Sequence, residues 1–193
     1  SKTGIWMSLV LCPEIMPQYA SQITLVAGLG MCEAIKDITG LEAKIKWPND
    51  IVVNEKKICG ILTEMSAQVE AIDYIVVGIG VNVNMTSFPE ELPYASSLAL
   101  EGGKSYSRRE IVARFLQIFE KDYEAYKQKP DLEAIIGRYE ANCITLHQMV
   151  KIISRNEEMI AKAEKINKDG TLVIKMTDGT VKQISSGEVS VRG

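Results

Sequence analysis

The chain has 193 residues, 46% of them apolar, and 22 basic against 25 acidic side chains give it a net charge of −3. That is enough apolar material for one large domain or two small ones, without the basic excess of a non-specific nucleic-acid binder. No apolar run is long enough to span a bilayer, and no signal peptide is visible.

Residues 5–11 read as a buried strand, followed by Pro13 and Pro17 and a long helix over 19–39. Ile23, Val26, Ala27, Leu29, Met31, Ala34, Ile35 and Ile38 follow helical spacing there, Gly28 and Gly30 permit close packing, and Gly40 is the stop. A strand over 44–47 leads through Pro48-Asn49-Asp50, a tight-turn signal, to a strand over 51–53. Glu55, Lys56 and Lys57 form a hairpin tip, and Lys57 runs directly into an apolar strand containing Gly60.

From Tyr74 to Asn84 a period of two separates two faces. Ile75, Val77, Ile79, Val81 and Val83 form an apolar core side. Tyr74, Val76, Gly78, Gly80, Asn82 and Asn84 form the other, which shrinks to nothing and then turns polar. One glycine there would read as a bulge, but Gly-x-Gly-x-Asn-x-Asn on one face reads as the floor of a ligand site. Beside it, Lys46 can neutralise a phosphate, Asp50 can hold a metal or take a proton, and Asn49 can orient either. As a turn signal alone, Pro48-Asn49-Asp50 is common.

Residues 84–105 read as a loop. Ser107-Arg108-Arg109-Glu110 is a capping box opening a helix to about residue 127, with Ile111, Phe115, Ile118, Phe119 and Tyr123 as its apolar side. Pro130 ends it, and a shorter helix covers 132–141. After Leu146 the pattern changes to five short strands, over 150–154, 159–166, 171–176, 181–185 and 189–192, with Asp169-Gly170 and Asp178-Gly179 as hairpin turns. That density of strands suggests a small SH3-like barrel. Cys12, Cys32, Cys59 and Cys143 are far apart without metal-type spacing and read as reduced, buried thiols of a cytoplasmic protein. The single histidine, His147, has no partner for a Ser-His-Asp or zinc site.

The ordered set KWPND, KKICGIL and VVGIGVNVN closely resembles the signatures of biotin protein ligases (biotin–[acetyl-CoA carboxylase] ligases), namely K-W-P-N-D, K-[LIV]-x-G-[IV]-L and G-[IAL]-G-[ILV]-N. The likeness extends from Gly4 to the C-terminus. It implies an α+β fold, with a mixed sheet packed by helices of the class II aminoacyl-tRNA synthetase and biotin ligase kind, followed by the SH3-like barrel. The division implied is a catalytic domain over 1–144 and a C-terminal domain over 145–193. The family's arginine- and glycine-rich loop, G-R-G-R-R-G-[RK], and an S/T-rich strand are not within this sequence, so the chain is expected to be the C-terminal part of such a ligase.

The chemistry implied by the resemblance has two half-reactions. The biotin carboxylate attacks the α-phosphate of ATP, giving biotinyl-5′-AMP and pyrophosphate, and a lysine of a biotin carboxyl carrier protein then displaces AMP. In that scheme Lys57 contacts the biotin carboxylate and the adenylate phosphate, and Gly60, Ile61, Leu62 and Gly80 line the biotin pocket. Lys46 stabilises charge on the α-phosphate, while Asn49, Asp50 and Asn82 face the nucleotide or Mg²⁺, with Asn84 a weaker nucleotide candidate. Asp50 is also the candidate to take the proton of the incoming lysine, and Tyr94 or Phe88 the candidate adenine platform. The family further implies a homodimer through the sheet edge, and DNA binding only where an N-terminal helix-turn-helix domain is present. Two alternatives are a lipoate ligase-like acyl-adenylate enzyme and a non-catalytic biotin-binding module.

Overall fold

The structure, a computed structural model, describes residues 3–154, 157–185 and 188–191. Two five-stranded sheets follow one another along the chain. The first contains β1 (Gly4–Leu11), β2 (Lys44–Lys46), β3 (Asp50–Val53), β4 (Lys56–Ala67) and β5 (Ile72–Asn82), in the order β1-β5-β4-β3-β2. Its ladders are antiparallel. Among the described residues the parallel component of the mixed sheet is confined to two isolated bridges, Ile45 with Cys143 and Lys57 with Ala95.

Helices cover one face of this sheet. After a 3₁₀ turn (Pro17–Tyr19), α1 (Gln22–Thr39) runs beneath β4 and ends at Gly40, whose φ of 73° is the left-handed conformation expected of a C-terminal stop. The Thr24 hydroxyl donates to Thr63 of β4 at 2.7 Å. A Cβ on Gly30 would stand 3.5 Å from the Phe115 ring, so the missing side chain brings α1 close to α3 (Arg108–Gln128). Ser107 caps α3 by accepting from the Glu110 N–H. Arg138 of α4 (Ile136–Asn142) donates to Asp122 at 2.6 Å and Glu33 at 2.8 Å, tying the three helices together. Ile75, Val77, Ile79, Val81 and Val83 are all buried beneath the helices, as their alternation required.

The second sheet contains β6 (Met149–Ser154), β7 (Glu157–Ile166), β8 (Leu172–Met176), β9 (Val181–Ile184) and β10 (Glu188–Val191), in the antiparallel order β10-β6-β7-β8-β9. Among the described residues β9 and β10 are not paired with each other, so the described ladders do not close into a barrel. Gly170 and Gly179 take positive φ in the two hairpin turns read from the sequence. Val150, Ile152, Ala161, Leu172 and Ile174 join the same apolar cluster as the first sheet and its helices.

Several expectations need correction. β1 is not a buried strand: it is an edge strand with Trp6 60% and Val10 67% exposed, because helices cover only its other face. Cys12, just past its end, is exposed, whereas Cys32, Cys59 and Cys143 are buried. The loop after β5 contains a short helix, α2 (Leu98–Gly102), capped by Ser97. The helix expected from residue 132 begins only at Ile136, because the Leu132 N–H is drawn to Lys168 O in the β7–β8 turn and the Glu133 N–H to Asp131. The last strand ends at Val191, and Arg192 lies outside the described residues.

Candidate active site

One register row crosses the whole first sheet: Trp6 on β1, Gly80 on β5, Gly60 on β4, Asp50 on β3 and Lys46 on β2. Directly paired residues point to the same side, so this row lies on the face free of helices. The next row is Ser8, Gly78 and Leu62. Trp6, Gly80 and Gly60 of the first row, with all of the second row, floor a cavity of about 1040 Å³, walled by Met85, Phe88, Pro89, Leu92 and Ala95 of the loop after β5, while Asp50 and Lys46 lie beyond its lining. Asn49, Lys57 and Asn82 supply its polar lining.

Lys57 reaches this face through a β-bulge. Simple alternation along β4 would put it on the helix side, with Cys59 and Ile61. Ile51 pairs with Cys59 but the next residue, Val52, pairs with Lys57, leaving Ile58 as an extra residue on β4. Ile58 and Cys59 are consequently both buried, and Lys57 emerges on the glycine side. Its Nζ lies 2.6 Å from Asp50 Oδ1. That oxygen is buried, and the contact is a close ion pair. A Cβ on Gly60 would meet Lys57 Cε at 3.3 Å, and Gly60 thereby lets the lysine lie flat along the floor.

The remaining candidates divide. Asn49 is tied to β4 by two bonds, its Nδ2 donating to Ile61 O at 2.9 Å and its own carbonyl accepting from Ile61 N at 2.9 Å. Asn82 lines the cavity, and its amide makes no hydrogen bond among the described residues. Ile61 lines the cavity from a buried position, and Leu62 is exposed on the open face. Lys46 lies at the far end of the row, half-buried and outside the cavity lining. Asn84 lies beyond β5 and is consumed structurally, donating to Tyr106 O and accepting from Tyr106 N, each at 2.9 Å. Of the two aromatic candidates, Phe88 lines the cavity and Tyr94 does not. Burial drives the Cys59 thiol well above its ordinary pKa, with Asp50 adding to the shift, so it supplies no nucleophile.

Sequence reasoning missed Trp6. A Cβ on Gly80 would come within 2.8 Å of its ring, so the strand glycine accommodates an aromatic of this chain as well as clearing room for a ligand. The signal was available in the alternation of β1, which puts Trp6 and Ser8 on one side, but the pairing of β1 with β5 was not.

Comparison with known proteins fits this geometry. Residues 1–82 match the biotin/lipoate A/B protein ligase family, and residues 145–192 match the biotin protein ligase C-terminal domain. Biotin protein ligase from Aquifex aeolicus superposes with a TM-score of 0.84 at 31% identity, covering 98% of this chain and 82% of that one. The chain belongs to the biotin protein ligase family. The Aquifex ligase in complex with biotin and ATP superposes at a TM-score of 0.83. The bifunctional ligase/repressor BirA of Bacillus subtilis is 34% identical over 191 residues, and the chain spans 58% of its length. The biotin–[acetyl-CoA-carboxylase] ligase of Mycobacterium tuberculosis is 30% identical over 173 residues, with 61% of its length spanned.

Proposed function

We propose that the chain carries out ATP-dependent activation of biotin to biotinyl-5′-AMP and transfer of the biotinyl group to a lysine of a biotin carboxyl carrier protein. The observation that carries this reading is the row Trp6-Gly80-Gly60 on the floor of one large cavity, with Lys57 laid along it and Asp50 paired to that lysine. A carboxylate is a poor acyl donor. Joining it to a phosphate requires fixed cations in a site shielded from water, where charge stabilisation is strongest. Gly60, Gly78 and Gly80 allow a flat bicyclic ligand to lie against the backbone, and Leu62, Met85, Phe88 and Leu92 give it apolar walls.

In this reading Lys57 leaves Asp50 when the ligand arrives and neutralises the biotin carboxylate and then the acyl-phosphate. Asp50, so released, takes a proton from the incoming acceptor amine. Lys46, Asn49 and Asn82 face the phosphates and ribose, with Phe88 as the aromatic platform. Asn84 is left with its structural task. Among the described residues no group of three His, Cys, Asp or Glu side chains gathers to hold a metal. Magnesium commonly binds through one carboxylate and substrate phosphates. Asp50, whose carboxylate already faces a cation in Lys57, fits as that carboxylate, and the ion would neutralise phosphate charge.

The family matches and the start of the second sheet at Met149 support a division at 144/145, with the second part as the C-terminal domain. The three buried, unbridged thiols support a cytoplasmic setting. No described helix is long and apolar enough to cross a membrane. The outer side of β1 is unpaired among the described residues, and it offers a sheet edge to a second copy. Calorimetry on the full-length protein with biotin, ATP and lipoate tests the assignment. Biotin binding, biotin-dependent AMP release and their loss in Lys57→Ala are expected; a preference for lipoate, or no acyl-dependent AMP, would overturn it.

A further inference from the structure

We propose that Glu101, on α2 and outside the cavity, is a positioning residue that fixes Lys57 by way of the 94–96 segment and the β3–β4 turn. The inference rests on the ligase reading for its kinetic consequence, but not for its geometry. The Glu101 side chain is only 10% exposed. It accepts from Ser96 Oγ at 2.5 Å and from Asn54 Nδ2 at 2.8 Å, with Lys56 Nζ at 3.9 Å. All three partners are donors, and an ionised carboxylate, which only accepts, is the side chain that satisfies them together. A buried carboxylate is costly unless it is paired in this way.

Each of these bonds leads to the site. Asn54 and Glu55 form the β3–β4 turn with φ of 49° and 65°, a backbone that non-glycine residues rarely adopt. The Asn54–Glu101 bond pins that turn immediately before Lys56 and Lys57. On the other side, the Ser96 N–H donates to Lys57 O at 3.0 Å and the Lys57 N–H donates to Tyr94 O at 2.7 Å. The backbone of Lys57 is therefore clamped by the segment whose hydroxyl Glu101 holds. Ser97, next in the chain and fully buried, donates to Met85 O at 2.6 Å, so the two ends of the cavity-wall loop meet at the start of α2. Ser96, Ser97 and Glu101 form a polar cluster whose contacts run to Lys57, Met85 and Ala95, all cavity residues.

The test uses the full-length protein with Glu101→Gln, Glu101→Asp and, as an exposed control, Glu124→Gln. Glutamine turns an N–H₂ toward one of the three donors. Amide hydrogen exchange at Lys57 and Ser96 should therefore accelerate about tenfold or more, while the Val77 and Ile79 amides keep wild-type rates. Displacing Lys57 should lower kcat/KM for biotin by about 10- to 100-fold, with the KM rising, since small misplacements of a reacting group carry penalties of that size. Glu101→Asp should recover part of that loss, and Glu124→Gln should match wild type. In a Lys57→Ala background, Glu101→Gln should change biotin affinity by less than about twofold, because both act through one group.

Unchanged exchange at Lys57 and Ser96 would overturn the proposal. So would the same drop in biotin affinity with and without Lys57, or a kinetic loss that merely follows a lowered melting temperature. If the wild-type protein shows no biotin-dependent reaction, the ligase reading fails by itself, and the exchange measurement still decides whether Glu101 positions Lys57.

Discussion

Trp47 donates its indole N–H to the carbonyl of Gly170 at 3.1 Å, joining the turn that precedes Asp50 to the β7–β8 hairpin of the second sheet. Its backbone N–H also donates to Thr145 Oγ1 at 3.0 Å, and the ring is 1% exposed. The tryptophan of the KWPND sequence is thus buried structure, while its neighbours Asn49 and Asp50 face the site. Trp47→Phe should leave the Gly170 carbonyl without its donor and cost about 1–3 kcal/mol. Trp47→Ala should cost about 3–5 kcal/mol by opening a cavity where the sheets meet. Urea unfolding measures both. In the phenylalanine variant the nucleotide KM should rise more than the biotin KM, because the displaced turn carries Asn49 rather than the glycine floor.

Gly80 is the second test of the floor. A side chain there meets the Trp6 ring, which is 60% exposed and free to swing outward, while the core lies on the opposite face. Gly80→Val should therefore retain cooperative unfolding, with a stability loss on the order of 1 kcal/mol, the usual scale for a surface strand change. It should bind biotin at least about tenfold more weakly, the equivalent of roughly 1.4 kcal/mol. Adding Trp6→Ala should relieve the clash without restoring affinity, since the valine still stands on the floor. Recovery of binding in the double variant would mean that Trp6, and not the valine, obstructs the ligand.

Much of this site was legible because a strand alternates faces whatever surrounds it. The Gly78, Gly80 and Asn82 side and the valine and isoleucine side of β5 fall where a period of two puts them. Lys57 shows where that reasoning stops. Alternation along β4 assigns it to the core side, and only the mismatch between Ile51-Val52 and Lys57-Ile58-Cys59 brings it to the cavity. A bulge is a property of two strands, so one strand's pattern does not reveal it. Trp6 and Asn84 were misjudged for the same reason. Trp6 stays hidden until β1 pairs with β5, and Asn84 passes for a floor residue until Tyr106 takes both ends of its amide.

The Lys57–Asp50 pair gives opposite expectations for stability and for rate. The lysine side chain is 49% exposed, so breaking the pair with Lys57→Ala should alter unfolding free energy by only about 0–1 kcal/mol. Its effect on biotin-dependent AMP formation should be on the order of 10²–10³-fold, the usual cost of removing a group aimed at developing charge. Lys57→Arg should not rescue it, because a planar guanidinium cannot lie along Gly60 as the narrow ammonium stem does. Pre-steady-state AMP formation together with thermal unfolding separates the two effects. A large stability loss in Lys57→Ala would instead make the pair structural.

Glu101 supplies a pH signature. Burial opposes its charge, but hydrogen bonds from Ser96 and Asn54 and the attraction of Lys56 outweigh this and hold its carboxyl below the ordinary value of 4.5. Because the folded-state value is the depressed one, the stabilisation is complete above 4.5 and disappears as the pH falls through the folded value. The stability gap between wild type and Glu101→Gln should therefore be constant from neutral pH down to about 5.5, where the free carboxyl is still ionised. Below that it should narrow, since acid protonates Glu101 in the wild type and leaves glutamine unaffected. Urea unfolding of the two proteins from pH 7 to pH 3 measures the gap. A gap that stays level or widens in acid would show that Ser96, Asn54 and Lys56 do not hold the carboxylate in its charged form.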